Sequence, residues 1–127
     1  MRSYMTMRSV LKLAAGARRE LEFDDFAGIH PRDKLVEELK RLAEERLIES
    51  TVRFSETDAW EGGSVACLTP EGVAFYRLIE NEDVWAIVLG VLKEADLDLS
   101  YPFLKEVCEE VVKRYVANFI PEIEDCK

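Results

Sequence analysis

"LTPEGVAFYRLIENEDVW", residues 68–85, ends one element and starts two more. Thr69 has the hydroxyl an N-cap needs, Pro70 fits the first helical position, and Glu71 is a first-turn acid at the positive end of the helix dipole. Val73, Phe75, Tyr76 and Ile79 give this short helix its buried side. Asn81 then caps a second helix, with Glu82 and Asp83 in its first turn. Its body, Val84 to Leu92, is apolar nearly all round, which predicts burial on several sides.

Upstream, Val52 and Phe54 alternate with polar residues, as do Val65 and Cys67. They predict a two-stranded hairpin with a tip of about eight residues, where Gly62 and Gly63 supply positive φ. On this pattern Cys67 is a small core residue, and so is Cys108 further on. Before the hairpin, "PRDKLVEELKRLAEERLIES" is a helix with Pro31 in its first turn. Leu35, Leu39, Leu42 and Leu47 face inward, and Glu37 lies four residues from Arg41. Earlier still, Leu21, Phe23 and Phe26 suit a short edge strand. Residues 3–15 form a first helix on Met7, Val10, Leu11 and Ala14, with Gly16 as its stop. Downstream, Ser100 or Tyr101 with Pro102 opens a last helix, whose apolar positions from Phe103 to Phe119 cover two adjoining stripes. That width predicts a sandwiched helix, either within the chain or in a homodimer through residues 103–119.

Helix, short strand, long helix, two-stranded wing and further helices is the order of an α+β winged helix with a helical C-terminal extension. The divisions are 1–80 for the winged-helix domain, 81–120 for the extension packed on it, and 121–127 for a tail. Trp85, Leu39, Phe75 and Val111 are expected in the core. The helix ending in "LIES", the "LT-x-x-G" step and "NEDVW" together resemble a family of uncharacterised small bacterial and phage proteins with a winged-helix-like domain. The resemblance covers roughly residues 31–115 and implies the fold without an activity. One departure is that "LEFDDFAGIH" has the wrong spacing and too many acids for the second helix of a helix-turn-helix.

The 127 residues, 48% apolar and 34% charged, fit a globular chain with one core. No stretch approaches the ~20 apolar residues that span a bilayer, and no apolar segment follows Arg2 and Arg8 as in a signal peptide. The expectation is therefore a cytoplasmic protein without membrane contact. Cys67, Cys108 and Cys126 are widely spaced and His30 is the single histidine, so neither a disulfide framework nor a metal or other cofactor site is expected. No nucleophile–base pair or phosphate loop points to catalysis.

The net charge is −9, yet the first nineteen residues hold Arg2, Arg8, Lys12, Arg18 and Arg19 and no acid. A DNA-binding dimer would use these five together with Arg32 and Lys34. The long helix is charge-balanced, however, and the wing tip carries Glu56, Asp58 and Glu61. That sign repels phosphate and complements a basic protein surface, such as that of a DNA-handling protein. Trp60, among small and charged neighbours, is the expected exposed anchor. The sequence thus favours a protein-binding module contacting its partner through Trp60, Glu56, Asp58 and Glu61, with DNA binding as the alternative.

Overall fold

The computed structural model describes residues 3–29, 31–57, 59–95 and 98–119, and the chain is a mixed α+β protein. Its contacts divide into two compact units, Met1–Tyr76 and Arg77–Lys127. His30, Asp58, Arg2 and Cys126 lie outside the described residues.

The first unit opens with α1 (Tyr4–Gly16), where Ser3 Oγ accepts the Thr6 N–H at 3.3 Å. Met7, Val10, Leu11 and Ala14 are buried, as their spacing requires. Leu21 exchanges two backbone hydrogen bonds with Val65, at 2.8 and 2.9 Å. The expected edge strand goes no further. Phe23–Phe26 is a 3₁₀ turn instead, because the Asp25 carboxylate accepts the Glu22 N–H at 2.7 Å in a reciprocal capping box.

Next comes α2 (Arg32–Glu44), with Pro31 just before it and Leu35, Val36, Leu39 and Leu42 buried. Lys34 pairs with Glu37 at 3.6 Å, and Arg41 pairs with Glu45, just past the helix end, at 3.9 Å. Leu47 is fully buried but lies beyond the helix end. Arg46 takes φ 60°, and the Leu47 N–H closes back on the Leu42 carbonyl at 3.0 Å.

The hairpin is longer than expected and built in two segments. At its base β1 (Ile48–Ser50) pairs antiparallel with β4 (Val65–Leu68); further out β2 (Arg53–Phe54) pairs with β3 (Trp60–Gly62). The Ser55 N–H bonds the Ala59 carbonyl at 2.8 Å, so the strands are already paired at these two residues and Gly62 and Gly63 are not at the tip. Gly63, at φ 87°, sits between the two segments, where any Cβ would collide with the Thr51 carbonyl. Each segment holds a bulge. Glu49 faces Cys67 and Ser50 faces Val65, which leaves Ala66 as the extra residue; Arg53 faces Gly62 and Phe54 faces Trp60, which leaves Glu61. The first bulge turns Cys67 to solvent, contrary to the core position its alternation with Val65 suggests.

Thr69 then caps α3 (Pro70–Ile79), its Oγ1 accepting the Gly72 N–H at 3.0 Å while donating to the Arg46 carbonyl at 2.6 Å. Phe75 and Ile79 are buried and Tyr76 is half-buried, but Val73 is exposed. Gly72 is pressed so close to Leu47 that a Cβ there would collide with its carbonyl oxygen.

In the second unit Asn81 Oδ1 accepts the N–H groups of Asp83 and Val84, at 2.8 and 3.1 Å, and opens α4 (Glu82–Ala95). Val84, Trp85, Val88 and Leu92 are buried, whereas Ile87 and Val91 are not, so this helix leaves one apolar face open rather than being covered on several sides. The last helix, α5 (Tyr101–Phe119), buries Tyr101, Leu104 and Cys108. Val111, expected in the core, is half-buried, and Phe103 and Val116 are exposed. The Tyr115 hydroxyl donates to the Asp83 carboxylate at 3.2 Å, which joins the start of α4 to the end of α5 and makes the pair antiparallel. Among the described residues no helix is long and apolar enough to cross a membrane.

Gly72→Ala should therefore cost about 3 kcal/mol of stability through overpacking, and Thr69→Ala about 1–2 kcal/mol through the lost cap. Gly16→Ala, where no atom lies within 4 Å of the new methyl, should be close to neutral; urea titrations of the three variants compare them directly. Burial pushes the Cys108 thiol up to about 12, whereas Cys67 is exposed and only raised, by partial desolvation and its hydrogen bond to Glu49. In a Cys126→Ser background an aromatic disulfide reagent at pH 8 should titrate Cys67 in the folded protein and Cys108 only in denaturant.

Candidate functional site

Trp60 is half-buried, held against Phe23 with ring centroids 5.3 Å apart and against Phe26 at 6.0 Å, both tilted. It does not project from the hairpin as a free anchor. The bulge at Glu61 rotates the last residues of the returning strand, and this directs the indole back across the 3₁₀ turn. The i,i+3 spacing of Phe23 and Phe26 was the sequence signal for this platform, because one turn of 3₁₀ helix places both rings on the same side.

Above the platform lies an open groove of about 860 Å³ between α2 and the outer hairpin. Phe23, Trp60 and Val36 form its apolar part. The α2 wall presents Arg32, Lys40 and Arg41 together with Asp33, Glu37 and Glu44, so its charges balance. Two cations lie over rings: the Arg32 guanidinium is 4.4 Å from the Phe23 centroid, and Lys40 Nζ is 5.1 Å from that of Phe54. Arg32 Nη1 is buried without a hydrogen-bond partner. A guanidinium nitrogen shielded from water in this way favours an acceptor brought in by a ligand. Glu56 and Glu61 are exposed on the hairpin.

Among the described residues the basic groups do not form one surface. Arg8 lies buried on the inner side of α1, out of reach of a phosphate backbone. Lys12 and Arg18 are exposed and share a shallow groove of about 620 Å³ with Arg19. Arg19 is held by Asp25 through two hydrogen bonds, at 2.6 and 3.0 Å, and Lys34 is paired with Glu37. Arg32 belongs to the other groove. Among the described residues no three of His, Cys, Asp and Glu converge in a metal-binding arrangement.

Compared with known proteins, the chain matches no protein-family model, no curated protein and no solved structure.

The Arg19 hydrogen bonds, followed by the Glu22 N–H, hold the Asp25 carboxyl below its ordinary 3.8. A carboxyl with a depressed folded value stabilises above its unfolded pKa, and that contribution disappears as pH falls through the folded value. Arg19 is exposed and Asp25 half-buried at the surface, so the effect is small and screened by salt. Asp25→Ala should lower the melting temperature slightly at pH 7, and the gap to wild type should shrink as pH falls below 3.8, read from thermal melts across a pH series.

Proposed function

We propose that this chain is a non-enzymatic winged-helix binding module that acts through protein–protein contacts. On this proposal, a partner's peptide segment lies in the groove between α2 and the outer hairpin. The winged-helix assignment rests on element order, on the Leu21–Val65 bridge as the short first strand, and on the hairpin that follows α2. The resemblance of residues 31–115 to the small bacterial and phage family points the same way.

The observation that carries the reading is an aromatic platform beneath a charge-balanced helix wall. A duplex rewards several cations facing its phosphates. Here α2 offers as many carboxylates as cations toward the groove, and Glu56 and Glu61 make the hairpin negative. A segment with an apolar or aromatic anchor and basic flanks matches all three features: the rings take the anchor, the hairpin acids take the basic flanks, and Arg32 takes a backbone carbonyl.

A peptide-display selection on the immobilised full chain should enrich such segments. Trp60→Ala should weaken them by ~30-fold. Because Trp60 also packs on Phe23 and Phe26, Lys40→Glu and Glu37→Arg provide variants that change the wall without touching the platform, and each should change which flanking charges are selected. Peptides that bind all these variants as they bind wild type would dismiss the groove. Tight, steeply salt-dependent binding of duplex DNA that is lost in a Lys12→Ala/Arg18→Ala variant would install the DNA reading instead.

A further inference from the structure

We propose that the outer face of α4 and α5 docks a second copy of this chain in an antiparallel, two-fold pairing. The face lies wholly within residues 77–127 and is independent of the peptide groove. Between the two helices runs an open groove of about 560 Å³ with Ile87, Val91, Val107 and Val111 as its apolar walls. Ile87 is 45% exposed and Val91 42%, and Phe103, one turn before Val107 on the same side of α5, is 60% exposed. Contiguous aliphatic and aromatic surface of this kind marks a contact site.

Gly90 adds an independent observation. It lies mid-helix on the same exposed face, with Ala86 one turn before it, and no atom lies within 4 Å of the position its Cβ would take. Glycine weakens a helix interior relative to alanine, and among the described residues nothing requires it there. A second helix crossing closely at Ala86 and Gly90 would.

The charges along the groove identify the occupant. Glu106 and Glu110 occupy the first part of the α5 rim and Arg114 the later part, with Arg114 Nε 3.0 Å from Glu110. A two-fold axis requires one patch to complement itself. Antiparallel α5 helices centred near Glu110 set Glu106 against Arg114 of the second copy, symmetry repeats the contact in reverse, and the two Glu110 side chains that meet at the axis are each offset by the Arg114 of their own helix, 3.0 Å away. The two positions are about 12 Å apart along one helix at 1.5 Å per residue. The same register carries Phe103 of each copy to the Asn118 end of the other's groove, beside Tyr115. A parallel arrangement would oppose Glu106 to Glu106 and forfeit these contacts.

Sedimentation velocity of the full chain across micromolar concentrations tests the proposal against the 14.6 kDa protomer. The expected species has twice that mass. Glu106→Arg alone and Arg114→Glu alone should each weaken association by ~10-fold or more, with circular dichroism showing the helices intact. Mixed together, the two variants should associate about as well as wild type, because each introduced charge then meets its opposite at both symmetric positions. Phe103→Asp should dissociate the pair without rescue by either variant. A wild-type mass of 14.6 kDa throughout, or a mixture no more associated than its components, would overturn the proposal, and neither result bears on peptide binding by the first unit.

Discussion

The arrangement of the first unit depends on the junction where Thr69 meets the end of α2. The Thr69 hydroxyl donates to the Arg46 carbonyl at 2.6 Å and accepts the Gly72 N–H at 3.0 Å, while its own N–H reaches the Leu47 carbonyl at 3.0 Å. Residues twenty-three apart in sequence are thus joined by the same side chain that starts α3. Only glycine at position 72 lets the two backbones approach this closely. Because β1 begins just after Leu47 and β4 ends just before Thr69, the junction fixes the base of the hairpin, and everything further out inherits its direction.

What the hairpin does with that direction is decided by its two bulges. A regular ladder would keep Val65 and Cys67 on one face and would set Glu61 opposite Phe54. The extra residue at Ala66 sends Cys67 outward, and the extra residue at Glu61 brings Trp60 opposite Phe54 and onto Phe23 and Phe26. Between the two segments Thr51 and Ser64 are tied by both backbone and side chain, the Thr51 N–H to the Ser64 carbonyl at 2.9 Å and the Ser64 N–H to Thr51 Oγ1 at 3.1 Å. The change of direction is therefore hydrogen-bonded. The groove beside α2 follows from a two-residue excess on one strand.

This accounts for which parts of the molecule were legible in the sequence. Caps act locally, so Thr69, Asn81 and the apolar spacing of α1 and α2 could be read directly. A bulge leaves no mark in alternation until the partner strand is known, which is why Cys67 read as core and Trp60 as a free anchor. Phe23 and Phe26 fit a strand by composition, and the Asp25 carboxylate made the turn cheaper than the ladder by taking the Glu22 N–H. The width of the apolar stripe on α5 was visible, but its burial was not: Leu104 and Cys108 are enclosed while Phe103 faces solvent. Periodicity shows where the apolar residues lie, and only packing determines which of them another element covers.

The basic N-terminal segment follows the same logic for charge. Counting residues gives five cations and no acid before Glu20, a field suited to phosphate. Folding distributes them. Arg8 goes inward on α1 while Glu38 is buried on α2, opposite charges on two helices that pack together, and both engage partners. Arg19 is committed to the acidic 3₁₀ turn, whose capping box and aromatic platform it braces through Asp25. Of the cations described in this segment, Lys12 and Arg18 remain exposed beside a groove. Two such cations make a weak phosphate track when each contact contributes to the salt slope separately. Of the four cations described in this segment, folding takes up Arg8 and Arg19 and leaves Lys12 and Arg18 facing outward.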